Sequence, residues 1–214
     1  MNIESLEEKN EAFFVEEPKA EYERRPPYID ISLFTSAVQQ FFSVADKKVK
    51  KELMDKIWAC CDWYVHYTDK RTGRCVYSET PNSIEYIHEL HTAIFLTQVG
   101  YDVLFAPRGM FGISEKKFDV FLIKETIMLK ADLKAISSNL PNTVANRIIG
   151  GSEQATRVVV HILSDISPKV LIDALRTGCY RNRKIVEILL IYKNSFYKLR
   201  KGLVISKLIF TIIK

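Results

Sequence analysis

The stretch "FDVFLIKETIMLKADLKAI", residues 118–136, contains two apolar runs separated by the charged pair Lys124-Glu125. Apolar and polar residues tend to alternate within the runs, which is the period of a β-strand with one buried face. The second run follows so closely that we predict an antiparallel hairpin turning near Lys124-Glu125. In that register Asp119 pairs with about residue 130, so Asp119 and Asp132 lie near the same end of the sheet.

The residues around the hairpin predict alternating helices and strands. A helix is expected in "IEYIHELHTAIFLTQVG", capped by Asn82 or Ser83 and ended by Gly100, followed by a strand in "YDVLFAP". After the hairpin come a helix within residues 141–155, a strand "RVVVHILS" and a helix "SPKVLIDALRTG" that begins at Ser167. This order predicts an α/β fold with a mixed β-sheet flanked by helices.

The end of the chain predicts further strands. "IVEILLIYKNSFYKLRKG" has the pattern of a strand pair with Asn194-Ser195 at its turn. The tail "KGLVISKLIFTIIK" is apolar and basic and could touch a membrane surface, but we expect it to complete the sheet as a strand.

The first 75 residues divide into two segments. Residues 1–30 contain nine acidic and four basic side chains and end in "ERRPPYID", which predicts a flexible acidic arm. From Ile31 to about Tyr67 apolar residues recur every three or four positions, which indicates one long helix or two helices broken near Ala45-Asp46. We therefore expect an arm at 1–30, a helical segment at 31–75 and the α/β domain at 76–214.

The composition is that of a folded protein, with 47% hydrophobic and 27% charged residues. No run approaches the roughly 18 apolar residues of a transmembrane helix, and no signal peptide is evident, so no stable membrane association is expected. The four cysteines lack paired CxxC spacing, which favours reduced thiols over a zinc site.

The net charge of +5 is unevenly distributed. From Pro168 to the end there are eleven basic and two acidic residues, whereas the first thirty residues are acidic. A basic body suits a polyanionic partner, although such an excess is more often ordinary surface solvation.

Four residues in and near the hairpin have side chains suited to phosphodiester hydrolysis: Glu89, Asp119, Asp132 and Lys134. Hydrolysis with a divalent ion needs carboxylates to hold the metal and a group that offsets charge at the phosphate. Alternation places Asp132 and Lys134 on one strand face, while Leu133 points into the opposite side. The preceding helix offers Glu89, with Glu85 one turn earlier on the same face as an alternative.

This order, helix Glu, hairpin Asp, then Asp-x-Lys, resembles the PD-(D/E)xK or restriction-endonuclease-like nucleases. Phe118-Asp119 stands where that family carries Pro-Asp. The continuation "DLKAISSN…NRIIGGSEQATRVVVHILSDIS" is similar to the C-terminal tRNase domains of CdiA-type contact-dependent growth inhibition toxins, which also occur in phage-associated proteins. The resemblance spans roughly residues 83–200 and leaves the helical segment unexplained.

The resemblance implies a metal-dependent endoribonuclease that cleaves tRNA, with Glu89, Asp119 and Asp132 as metal ligands and Lys134 as a catalytic cation. It implies a divalent ion, Mg2+ first with Mn2+ or Zn2+ as alternatives, and a cognate immunity protein as a partner. The site of action would be cytoplasmic, reached by delivery of a larger toxin into target cells. Gln154 falls where the family carries a glutamine that faces the site. Supporting or RNA-contacting roles are expected for Glu85, Asn139, Asn142, Asn146, Arg147 and Arg157.

Other interpretations of these residues remain open. The D-x-K pattern is common, Asp132 and Lys134 could be a solvent-facing strand pair, and Glu85 and Glu89 could be ordinary exposed charges. A DNA endonuclease of the same fold, or a catalytically silent binding module, would have the same motif.

The "HELH" run at residues 88–91 does not match a zinc-protease helix, because its histidines are three rather than four residues apart. The cysteines and aromatics around Cys60-Cys61 are expected to pack in a core.

Overall fold

A computed structural model describes residues 29–84, 86–111 and 117–214 of the chain. Its centre is an eight-stranded sheet whose strands are hydrogen-bonded in chain order. The strands are β1 (Tyr64–Thr68), β2 (Cys75–Ser78), β3 (Asp102–Phe105), β4 (Val120–Lys124), β5 (Ile127–Ile136), β6 (Arg157–Ile162), β7 (Glu187–Tyr192) and β8 (Ser195–Arg200).

The sheet is mixed, as predicted. β2 and β3 are parallel, β3, β4 and β5 form an antiparallel meander, and β5, β6 and β7 are parallel. β1 and β8 pair antiparallel to their neighbours at the two edges. The parallel pairs are connected through helices, which is the connection that parallel neighbours require.

Helices cover both faces of the sheet. They are α1 (Ile31–Ser43), α2 (Lys47–Ala59), α3 (Ile87–Gln98), α4 (Pro141–Gln154), α5 (Pro168–Arg181), α6 (Lys201–Ile205) and α7 (Ile209–Ile212). No helix among the described residues has the length and apolar character needed to cross a membrane. The prediction of an α/β fold with a mixed sheet flanked by helices is confirmed.

The alternation of β5 shows how the layers are arranged. Met128 packs with α1 and α2, and Ile136 packs with α4 and α5. Ala131 and Leu133 belong to a third cluster with Ala93 of α3. Since neighbouring strand residues point to opposite faces, α1, α2, α4 and α5 lie on one face and α3 on the other.

The helical segment is a helical hairpin that packs on the sheet. α1 and α2 are separated near Ala45-Asp46, as one of the two predicted alternatives required, and Asp46 caps α2 by accepting from the amides of Lys48 and Val49. The helical prediction for residues 60–67 was wrong, because Tyr64–Thr68 is the edge strand β1. β2 begins at Cys75, so the boundary expected at 75/76 falls inside a strand. Residues 1–28 of the predicted acidic arm lie outside the described residues.

Two local predictions were wrong at element ends. Neither Asn82 nor Ser83 caps α3, since Ser83 accepts from the Thr80 amide and the helix begins after Tyr86 without a side-chain cap. The β7–β8 turn is Lys193-Asn194, whose positive φ angles of 48° and 58° match the twist of a two-residue hairpin.

The tail forms α6 and α7 instead of a strand. Val204, Ile209 and Ile213 are buried against the α5 side of the sheet, so helical spacing is what brings the apolar residues of the tail into the core.

We expect Phe34→Ala to lower the free energy of unfolding by about 3–5 kcal/mol. Phe34 is fully buried and its ring meets Trp63 at 5.5 Å and Phe121 of β4 at 6.0 Å, so it fastens the helical hairpin to the sheet. Urea unfolding measures the loss, with Leu33→Ala as control because Leu33 is 51% exposed. Equal losses in both variants would contradict this packing.

Candidate active site

β5 pairs with β4 along its first half and with β6 along its second half. Ala131 is the last residue paired with β4, opposite Val120, and Asp132 is the first paired with β6, opposite Val158. The ten-residue strand therefore joins the antiparallel and the parallel halves of the sheet. Asp132 lies at the junction, where one neighbour ends and the other begins.

Asp119 lies beside this junction. Its amide donates to the Ala131 carbonyl at 3.2 Å, and one step beyond the Val120–Ala131 pair it reaches the level of Asp132. Its Oδ2 accepts from the Leu133 amide at 2.7 Å, so the side chain supplies an acceptor to β5 just before the start of β4. The two predicted carboxylates are thus neighbours across the ladder.

The predicted register was wrong by two residues. The turn consists of Glu125-Thr126, flanked by the Lys124–Ile127 pair, and Glu125 has a φ of 55°. A turn placed one residue earlier shifts every cross-strand pair by two. The correction moves Asp119 from the level of residue 130 to that of Asp132.

Asp132 is fully buried, which contradicts the solvent-facing interpretation of the strand pair. The ammonium of Lys134 lies 2.5 Å from its Oδ2, and Lys134 is 19% exposed. This contact serves Oδ2 alone, and Oδ1 has no hydrogen-bond partner among the described residues. Burying a carboxylate oxygen that accepts no hydrogen bond costs free energy, so positive charge in addition to that of Lys134 would stabilise Asp132.

Burial raises the pKa of Asp132 to about 8, and the neighbouring Asp119 carboxylate adds to the rise. Lys134 opposes both effects by favouring the charged form. The desolvation of a fully buried group is the larger effect, so the pKa stays well above that of an ordinary aspartate.

Gly151 of α4 covers this carboxylate. A Cβ at that position would lie 2.6 Å from Asp132 Oδ2 and 2.9 Å from a methyl group of Val158. The close approach of α4 to β5 therefore requires glycine. Sequence analysis assigned no role to this residue, although its place in a Gly-Gly pair inside a helix was a usable signal.

Glu89 is half-buried in the first turn of α3 and borders a pocket that Asp119 also borders. The pocket has a volume of about 500 Å3 at the end of β3 and the start of β4. Arg108, Lys117 and Phe118 also line it. Glu89 and Asp119 therefore face one opening, while Asp132 lies behind Asp119. Glu85 falls outside the described residues.

The other predicted site residues lie on α4, on the connector before it and on β6. Gln154 is the exposed last residue of α4, three positions after Gly151, and its role stays a prediction. The asparagines and arginine of the connector and α4 are exposed: Asn139, Asn142, Asn146 and Arg147. Arg157 is different, because its guanidinium pairs with Glu187 at 3.3 Å. It neighbours Val158, which packs on Gly151, so its side chain points to the opposite face from Asp132.

Three histidines lie on α3 and β6: His88 and His91 on the helix and His161 on the strand. His161 of β6 shares a hydrogen bond with Thr92 through Nδ1 at 3.0 Å. Burial lowers the pKa of His161, and His91 and His88 lower it further. His88 and His91 themselves are exposed.

The described residues contain no group of three His, Cys, Asp or Glu side chains arranged to hold a metal ion. All four cysteines are free thiols, and Cys60 and Cys61 are buried where the sequence placed them in a core.

Comparisons with protein-family models, with curated proteins and with solved structures found no match to this chain.

We expect Gly151→Ala to destabilise the protein by about 1–3 kcal/mol, since the new methyl group would press on Asp132 and Val158. Gly150→Ala is the matched control, because a Cβ there meets nothing within 4 Å. The control should stabilise the same helix by about 0.5–1 kcal/mol. Thermal unfolding distinguishes them, and two changes of the same sign would argue against the tight contact.

Asp132→Asn should gain stability relative to wild type as the pH rises from 4 to 8. The raised pKa means that the folded state binds a proton that the unfolded state has released, so the wild type loses stability over this window. An amide does not titrate, and we expect a relative gain above about 1 kcal/mol.

Urea unfolding at pH 5 and pH 8 in EDTA measures this gain, with the exposed Asp173→Asn as control. A relative stability that is independent of pH would refute the raised pKa.

Proposed function

We propose that this chain is a divalent-metal-dependent endoribonuclease of the PD-(D/E)xK type. The observation that supports this most directly is the fully buried Asp132 carboxylate, whose Oδ2 meets the Lys134 ammonium at 2.5 Å and whose Oδ1 has no hydrogen-bond partner among the described residues, next to Asp119. Ordinary sheet packing gives no reason to place two carboxylates and an ammonium at one junction, and such arrangements are typical of functional sites.

The order of elements supports the same proposal. α3, the strand β3, the β4–β5 hairpin, α4 and β6 follow one another as the resemblance implies, with a Glu on the helix and the two aspartates on the hairpin. Fold alone does not establish activity, so the proposal depends on the side chains at the junction.

The donor chemistry suits a hard divalent cation. Mg2+ and Mn2+ prefer carboxylate oxygens, and a second positive charge would satisfy the Asp132 oxygens and reduce their repulsion with Asp119. Asp119 and Asp132 would hold the ion, with Glu89 as the third ligand from the pocket side. When bound, such an ion would lower the pKa of a water and offset charge at the phosphate.

The side chains of the chain itself have separable roles in this proposal. Asp119 is fixed by the Leu133 amide, which orients its carboxylate toward the junction. Lys134 lies one pleat beyond Asp132 on the same face, where its ammonium can neutralise negative charge on the phosphate or on the attacking oxygen. The pocket bordered by Glu89 and Asp119 is the open approach for substrate.

RNA, with tRNA first, is the proposed substrate class, and a toxin-type role with an immunity partner belongs to the same proposal. The excess of basic residues in the last third of the chain supports a polyanion and makes affinity salt-dependent. A DNA endonuclease of the same fold remains the nearest alternative and is one arm of the test.

A catalytically silent nucleic-acid-binding module is the second candidate. One observation favours it: the described part of the chain lacks a three-ligand group arranged for a metal ion. Binding of RNA without turnover under Mg2+, Mn2+ or Zn2+ would support this candidate.

We expect the wild-type chain to cleave tRNA with Mg2+ or Mn2+ and to lose activity in EDTA. Asp132→Asn and Lys134→Ala should each reduce the cleavage rate at least about 100-fold, because each removes a charge proposed to act on the reacting groups. Gel analysis of tRNA, structured RNA and duplex DNA incubated in parallel separates the RNA and DNA alternatives.

The control is Asp173→Asn, on the surface of α5. Thermal unfolding with and without Mn2+ gives a second readout, since a stabilisation present in wild type should be lost in Asp132→Asn. Cleavage that survives Asp132→Asn or Lys134→Ala would overturn the assignment.

A further inference from the structure

The outer end of the α1–α2 hairpin combines phenylalanine rings with lysine ammonium groups. Lys50 lies 5.3 Å from the centre of the Phe41 ring. Lys130 of β5 lies 4.5 Å from the Phe42 ring and 5.4 Å from the Phe118 ring. Phe41 and Phe42 are themselves in edge contact at 5.5 Å. Contacts between lysines and phenylalanine rings therefore continue from α2 to the sheet.

This series of contacts is continuous with the candidate active site. Phe118 directly precedes Asp119 and lines the same pocket. Lys130 precedes Asp132 by two residues, so both side chains project from the same face of β5. A ligand that reaches the carboxylate pair through the pocket would meet Phe118, Lys130 and then Phe42.

Core packing does not account for Phe42. Its neighbour Phe41 is 2% exposed and contributes to the core, whereas Phe42 is 42% exposed. An exposed ring flanked by cations resembles the stacking platforms on which proteins hold unpaired bases, with the sugar-phosphate backbone on nearby lysines.

The charge of α2 suits the same ligand. The helix contains five lysines and two acidic residues, a net of +3. Lys47, Lys50 and Lys51 follow helical spacing and share one side, next to Phe41. At the pocket, Arg108 and Lys117 extend this basic surface toward Asp119.

We propose that the α1–α2 hairpin is a nucleic-acid-binding wall that holds an unpaired nucleotide next to the cleavage site. The base stacks on Phe42, and the adjoining phosphates bind Lys50, Lys51 and Lys130. A duplex keeps its bases stacked on each other, so this wall selects single-stranded or looped segments. The inference rests on the proposed nuclease function and gives the helical segment a role in it.

Binding is tested in the full chain made unable to cleave by Asp132→Asn. Fluorescence anisotropy with single-stranded RNA, single-stranded DNA and blunt duplex RNA compares the three ligands in one buffer. Phe42→Ala should weaken binding of the single strands at least about fivefold, the loss expected for one stacked base, and should change duplex binding little. Lys51→Ala should weaken all binding and reduce the slope of log affinity against log salt concentration by about 1.

Phe210→Ala is the matched aromatic control. Phe210 is 43% exposed and lies 5.8 Å from the Arg176 guanidinium, so it resembles Phe42 in exposure and charge contact but belongs to α7. Lys124→Ala, exposed at the end of β4 farthest from Asp119, is the control for charge. Neither should change single-strand affinity or the salt slope by as much as its counterpart in the hairpin.

Equal affinity in Phe42→Ala and its parent, equal losses in Phe42→Ala and Phe210→Ala, or absence of binding to any oligonucleotide would each overturn the inference. Absence of binding would leave the wall to a protein partner. Preference for RNA or DNA single strands identifies the source of the unpaired base and supports the inference in either case. If the parent binds through Phe42 but the wild type cleaves nothing, the proposed function fails and the wall remains.

Discussion

The candidate site depends on the way β5 pairs with β4 along its first half and with β6 along its second half. A strand that pairs with β4 over its first half and with β6 over its second must pass a point where one ladder has ended and the other has just begun. At that point the Leu133 amide takes its acceptor from a side chain, Asp119, and Asp132 is enclosed by the covering helix. The junction thus brings two carboxylates together with little freedom for either.

The same junction determines how closely α4 approaches the sheet. A Cβ at Gly151 would lie 2.6 Å from Asp132 Oδ2, so glycine is needed for the helix backbone to approach Asp132 this closely. The result is a buried acid with a pKa near 8 whose charge is only partly balanced by Lys134. Such a group lowers stability as the pH rises from 4 to 8, because the unfolded state releases a proton that the folded state retains.

The helical hairpin at the start of the chain belongs to the same body. Phe34 joins Trp63 and Phe121 in the core, so α1 is held on the face of the sheet from which Lys130 and Asp132 project. This placement puts the helical segment, whose role the sequence left unexplained, beside the candidate site, where we propose that it binds nucleic acid. Its exposed ring and lysines are oriented by packing that is itself apolar.

Local pattern determined most of the elements. Alternation identified the hairpin, helical spacing identified α1 and α2, the cap at Ser167 indicated α5, and the order Glu, Asp, Asp-x-Lys placed the candidate residues on a helix and a hairpin. These features depend on neighbours in the sequence, where the periods of helices and strands are visible. Element ends were less well predicted, because the turn at Glu125-Thr126 and the start of α3 depend on tertiary contacts.

Tertiary structure alone decided the features that involve distant residues. Asp119 lies beside Asp132 only in the true register, and Asp132 is covered because α4 has a glycine at position 151. Tyr64–Thr68 is a strand because it lies at the edge of the sheet, and the tail is helical because its apolar residues pack into the core beside α5. Periodicity in a sequence shows which side of an element is buried. Which element covers it, and how closely, is decided by packing between segments far apart in the chain.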